Sequence, residues 1–256
     1  MSKKRTARLE FLYGRHAVYE TLQAGRRGIY QILVAEGATE KGLLAEIINI
    51  AGERNIPVHR VDRQKLDEKS DAHHGVAASV SEYPYVSVDE VLEKSLSADE
   101  APFLLAMDQV QDPQNLGALL RTAEAAGIHG VFLPGKHGAL VTETVVRTSA
   151  GASEHLMIAL GNLAQITEMI KKENIWVAGL DSDIDTPSIE TVDLNRPICL
   201  VVGSEGKGLR RLVRERCDFM IRLPMKGRIE SLNASAAGAI VLYAAAMARL
   251  NSDPNI

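Results

Sequence analysis

Residues 103–134, FLLAMDQVQDPQNLGALLRTAEAAGIHGVFLP, decide the fold. The apolar run FLLAMD (103–108) reads as a strand covered on both faces. Asp112 and Pro113 then match an N-cap and first-turn pair, and Gly127 matches the glycine that ends a helix. GVFLP (130–134) is a second apolar strand. The alternation of apolar strands and helices continues downstream, with no internal repeat. HLMIAL (155–160), IWVAGLD (175–181), ICLVVG (198–203) and FMIRLP (219–224) are further strand candidates, and helices fit between most of them. The pattern predicts an α/β unit around a mostly parallel sheet.

Upstream, the chain alternates on a smaller scale. FLYGRHAVYETLQAG (11–25) reads as an amphipathic helix, IYQILVAE as a strand, and EKGLLAEIINIAGERN as a second helix. IPVHRVD and GVAASVSEY read as strands around a short helix in DRQKLDEKSD. PYVSVDEVLEKSLSADEAP is polar and acidic, with Pro84 and Pro102 at its ends, and reads as a linker carrying a short helix. The expected organisation is a small α/β domain over 8–82, a linker over 83–100 and a larger α/β domain over 101–256.

Composition narrows the class. The chain has 256 residues, 46% hydrophobic and 24% charged, enough to bury a core. No apolar run approaches the roughly 20 residues that span a bilayer. The N-terminus lacks a secretory apolar stretch, so a soluble cytoplasmic protein is expected. Cys199 and Cys217 form no Cys-x-x-Cys pair and are expected to be reduced packing residues, with no metal site. Net charge is −4, but residues 1–80 hold 13 Lys and Arg against 10 Asp and Glu. A basic bias at one end is compatible with RNA contact.

Three stretches carry candidate chemistry. The first is the helix bearing Asn115 and Arg121, which lie six residues apart and need not share a face. The second is LVVGSEGKGL (200–209), where a strand runs into a loop with three glycines and one carboxylate, Glu205. It is neither a P-loop nor a G-x-G-x-x-G fingerprint, which disfavours a nucleotide-binding dehydrogenase. The third is IRLPMKGRIESLNASAAGAIVLYAAAMARL (221–250). There Ser231 or Asn233 can cap a helix whose first turns are nearly free of bulk. Such a surface permits close packing against a backbone, a ligand or another chain.

Taken together, NLGALLRTAEAAG, LVVGSEGKGL and RLPMKGRIESLNASAA resemble the three signature motifs of the SpoU (SPOUT-superfamily) RNA 2′-O-ribose methyltransferases. FLYGRHAVYETLQAG and KLDEKSDAHHGVAASV resemble the small RNA-binding domain of family members acting on guanosine in bacterial 23S rRNA. The resemblance implies a deep trefoil knot in the C-terminal domain, a homodimer with the active site near its interface, and S-adenosylmethionine as methyl donor. It places cofactor contacts at Gly203, Leu223 and Leu232, with Gly206, Ser231 and Ser235 in the same motifs. It links Asn115 and Arg121 to catalysis, joined by Glu205 and Asn233, and suggests RNA contacts at Arg15 and His16. A guanidinium is a poor general base, so Arg121 is expected to stabilise a developing alkoxide or fix a phosphate. The N-terminal domain is expected to select RNA, so that a chain beginning near Ala101 binds cofactor but methylates poorly. The same chemistry on tRNA, or a non-catalytic ribosome-assembly factor, are the competing readings.

Overall fold

A computed structural model describes residues 9–183, 185–228 and 231–250. The basic N-terminal residues 1–8 lie outside that range. The described residues fall into two compact units, one drawn from 1–84 and 141–155, the other from 85–140 and 156–256.

In the first unit, β1 (Glu10–Tyr13), α1 (Arg15–Ala24), β2 (Ile29–Ala35), α2 (Leu43–Glu53), β3 (Val58–Val61), α3 (Arg63–Asp67) and β4 (Val76–Val80) follow in order. They build a four-stranded sheet ordered β1-β4-β2-β3. Residues 11–13 were expected to open the first helix. Instead they pair antiparallel with β4, Phe11 opposite Ser79 and Tyr13 opposite Ala77. Gly14, at φ 98°, turns the chain from that strand into α1. Leu12, Val18, Leu22, Ile32, Val34, Leu44 and Ile47 are fully buried.

The second unit opens with α4 (Val88–Leu96), started by a capping box between Ser87 and Glu90. This helix lies in the segment expected to be a linker. Its Val91 and Leu92 sit in the same apolar cluster as Phe132, Leu163 and Ile166, which makes it part of this unit's core. Then come β5 (Phe103–Met107), α5 (Pro113–Ala125) and β6 (Gly130–Pro134). A helix of the first unit, α6 (Glu143–Thr148), follows. The second unit resumes with β7 (Ile158–Gly161), α7 (Leu163–Lys172), β8 (Trp176–Asp181), β9 (Ile198–Val202), α8 (Arg211–Arg216), β10 (Phe219–Arg222) and α9 (Ala234–Leu250). The sheet order is β10-β8-β9-β5-β6-β7, and every pairing is parallel. Its central strands are buried along their whole length, as the apolar runs require. Cys199 is fully buried in this core, and burial pushes the half-buried Cys217 thiol up to about 12.

Residues 141–155 leave the second unit and complete the first. Glu154 is buried and pairs with the buried Arg27 at 3.0 Å, and Arg27 also meets Glu10 at 2.8 Å. Burial raises the Glu154 carboxyl above its ordinary value although Arg27 and Arg26 oppose the shift. The Tyr83 hydroxyl donates to the Ser153 carbonyl at 2.7 Å, and His155 meets Glu20 at 2.8 Å.

Candidate active site

The six-stranded sheet starts at β5, builds outward through β6 and β7, then continues on the other side of β5. The strand order therefore reverses between β5 and β9. In open α/β sheets the crevice beyond the carboxyl ends of such strands is where ligands bind. Three loops meet there, those after β5, β9 and β10.

The loop after β9 is shaped by glycine and anchored by a buried charge. A Cβ at Gly203 would lie 2.4 Å from the Gly208 carbonyl carbon, so only glycine lets the two backbones pass. The Ser204 amide donates to Gly208 O at 3.1 Å and the Gly208 amide to Ser204 O at 3.0 Å. Asp108, fully buried at the end of β5, accepts from the Arg210 amide at 2.8 Å and from Arg210 Nε at 2.7 Å. An ionised, hydrogen-bonded pair of this kind ties the loop to the central strand. Sequence reasoning missed Asp108 and Arg210. The available signal was an acidic residue closing the apolar run FLLAM.

Asn115, Glu205, Asn233 and Ser235 form a closed hydrogen-bond network. Asn115 Nδ2 donates to Glu205 Oε1 at 3.2 Å. Asn233 Nδ2 donates to Asn115 Oδ1 at 3.1 Å and also to Glu205 Oε1. Ser235 Oγ donates to Asn115 Oδ1 at 3.2 Å. Asn233 Oδ1 caps α9, accepting from the amides of Ser235 at 2.9 Å and Ala236 at 3.2 Å. Of the two expected caps, Asn233 does this work. Local structure puts each member in place. Asp112 Oδ1 accepts from the Gln114 amide at 3.0 Å, so α5 begins at Pro113 and Asn115 falls in its first turn. α9 crosses close to α5 because Gly238 has no side chain. A Cβ there would lie 2.5 Å from Leu119 Cδ2.

Beside the network is a cavity of about 280 Å³. Of the expected cofactor residues, Gly203, Gly206, Leu223, Ser231 and Leu232 line it, and Glu205 lies on both cavity and network. Ser235 is not in the lining; it faces Asn115 and Asn233. Leu180, Asp181, Ala234 and Ala237 complete much of the wall. Arg121 is not brought into the network. It lies six residues beyond Asn115 on α5, about 9 Å further along the axis. Its side chain is exposed, with no hydrogen bond or ion pair among the described residues. Arg15 and His16 are in the other unit, in the first turn of α1.

Two family models match the chain. The model of the SpoU rRNA methylase family matches residues 102–243. A model for RNA 2′-O ribose methyltransferase substrate binding matches residues 11–86. The chain is 41% identical over 236 residues to YacO of Bacillus subtilis, named for the TrmH family of tRNA/rRNA methyltransferases, covering 91% of this chain and 94% of that one. Its fold is similar to the SpoU methyltransferase AviRb from Streptomyces viridochromogenes in complex with AdoMet, at TM-score 0.80 and 22% identity over 95% of this chain and 92% of that one. It is also similar to an RNA 2′-O ribose methyltransferase, at TM-score 0.77 and 25% identity over 96% and 90% of the two chains.

Proposed function

We propose that this chain, which belongs to the SpoU rRNA methylase family, transfers the methyl group of S-adenosylmethionine to a ribose 2′-hydroxyl of RNA, with a guanosine of 23S rRNA as target. The observation that carries the reading is the glycine-lined cavity placed directly against the Asn115–Glu205–Asn233 network.

The lining suits the donor. Leu180, Leu223 and Leu232 offer apolar surface to a purine, and the 203–208 backbone offers polar groups at close range. The Glu205 carboxylate on the wall complements a ligand carrying a sulfonium and an ammonium, while Asp181 lines the same wall paired with Arg214. When bound, S-adenosylmethionine supplies an electrophilic methyl, and no further activation of that group is required. The chain's own task is alignment and charge. Holding the attacking oxygen in line is a positioning effect. The amides of Asn115 and Asn233 fix the Glu205 carboxylate, which is acceptor-only. Arg121, with its fork of donors, is assigned to the developing alkoxide or an adjacent phosphate.

A homodimer belongs to the same reading. Ile240, Tyr243, Met247 and Leu250 follow one another at helical spacing on α9 and are all about half exposed, an apolar stripe suited to a second copy. The exposed Arg121 is available to such an arrangement. The trefoil knot is part of it too. Insertion of β9 between β5 and β8, with α9 packed on α5, is compatible with such a knot.

A second reading, the same chemistry on tRNA, is favoured by the naming of the Bacillus relative for both RNAs. The test is transfer of labelled methyl from S-adenosylmethionine to unmodified 23S rRNA and unmodified tRNA in parallel, followed by alkaline hydrolysis. Label in alkali-resistant dinucleotides of 23S rRNA is expected. Arg121→Ala should lower it by on the order of 10²-fold, and Arg121→Lys should restore it only in part. Label in tRNA alone would replace the substrate. Cofactor binding without transfer to either RNA would overturn the enzymatic reading in favour of a binding protein.

A further inference from the structure

The first unit holds a cavity of about 820 Å³ that the methylation chemistry does not use. Arg15, His16, Arg63, His74 and Arg147 line it, and no Asp or Glu is among its lining residues. In a chain of net charge −4, this is a local concentration of one sign. Two of the lining arginines pair with acids on their own helices. Burial first, and then one of these acids, Glu143, raise the hydroxyl of the lining Tyr13 above its ordinary value. Arg147 meets Glu143 at 3.3 Å and Arg63 meets Asp67 at 3.9 Å, both four residues apart and partly or largely exposed. Pairs of that kind are weak and are readily exchanged for a stronger anion.

The walls are held in costly conformations. His74 and Ala150 line the cavity at φ 46° and 52°, positions that L-residues seldom take. Such strain concentrates where surrounding structure enforces it for a purpose. The turn carrying His74 is fixed from behind. Buried His73 accepts from the Gly75 amide at 2.9 Å and meets Asp67 at 2.7 Å. Arg15 Nε then donates to the His74 carbonyl at 3.1 Å, setting its guanidinium on the rim. The first turn of α1 also opens here, with no side-chain cap and no acidic residue.

Arg147 comes from α6, inside the region matched by the methylase family model, yet it folds into the first unit. We propose that this cavity binds backbone phosphate groups of the substrate RNA, with Arg147 of the 141–155 excursion acting jointly with Arg15 and Arg63. The proposal rests on the RNA reading above and extends it. The RNA-contacting surface is not confined to residues 11–86, because a segment of the methylase region completes it.

The test uses the full chain and unmodified 23S rRNA. Equilibrium binding is measured between about 50 and 200 mM salt for wild type, Arg147→Gln, Arg63→Gln and the double variant, with Arg211→Gln on α8 as control. Each lost phosphate contact lowers the slope of log affinity against log salt by about 0.7–0.9. Each single variant should show that decrease and bind several-fold more weakly at the lower salt. Arg147→Lys should keep the slope, since a point charge still neutralises a phosphate. In methyl transfer the double variant should raise KM for RNA with kcat little changed, and S-adenosylmethionine affinity should be unaffected. A double variant that binds RNA with wild-type affinity and slope would overturn the cavity assignment, while wild-type methyl transfer would keep the enzymatic reading intact. Absence of wild-type transfer would instead sink that reading, and the slope comparison would still decide the cavity.

Discussion

Asn233 serves two structures through one amide group. Its Oδ1 caps α9, and its Nδ2 orients Asn115 and Glu205. The two roles separate by substitution. Asn233→Ala should cost about 1 kcal/mol of stability through the lost cap and reduce methyl transfer on the order of 10²-fold. Asn233→Asp should restore the cap but place a carboxylate against Glu205, so the melting temperature recovers and the rate does not. Thermal unfolding and labelled methyl transfer, measured together, check this; wild-type turnover in either variant would remove Asn233 from the site. At this scale the sequence was legible only where partners are close along the chain. The Asp112–Pro113 helix start follows from adjacent residues. The Asn115–Glu205 contact spans 90 residues and the Asp108–Arg210 contact 102. No local pattern reports either. The first was grouped by resemblance alone, and the second was missed.

At the scale of elements, buried parallel strands are legible because both faces demand apolar residues. All six runs expected in the larger domain are strands, within three residues at each end. β1 was hidden because four residues, with Phe11 exposed, resemble the start of the amphipathic helix that follows. α4 was read within a linker because only Val91, Leu92 and Ser95 of its nine residues are buried. Its place in the core changes where the chain can be divided. Val91 packs on Gly130, where a Cβ would lie 2.2 Å from Val91 Cγ1. A chain starting at Ala101 loses Val91 and Leu92 from the core, each contributing roughly 1.5–3 kcal/mol. A chain starting at Tyr85 keeps them. The Tyr85 fragment should melt well above the Ala101 fragment by circular dichroism, and equal melting temperatures would show that α4 is dispensable.

At the scale of the molecule, a chain of net charge −4 gathers Arg15, Arg63 and Arg147 around one cavity, while Asp181 and Glu205 line another. Residues 141–155 could not be assigned from sequence to the first unit, because their ties, Arg27–Glu154 and Tyr83–Ser153, are long-range and use residue types common on surfaces. No helix among the described residues is long and apolar enough to cross a membrane. The central claim is that the cavity beside Glu205 holds S-adenosylmethionine. Its most direct test is titration calorimetry of that ligand with wild type and with Leu232→Arg. Leu232 lines the cavity but is 40% exposed, so the change fills the site with like charge and spares the core. The account predicts stoichiometric binding to wild type and its loss in Leu232→Arg, with the unfolding temperature little changed. Equal binding by both proteins, or none by wild type, would contradict it.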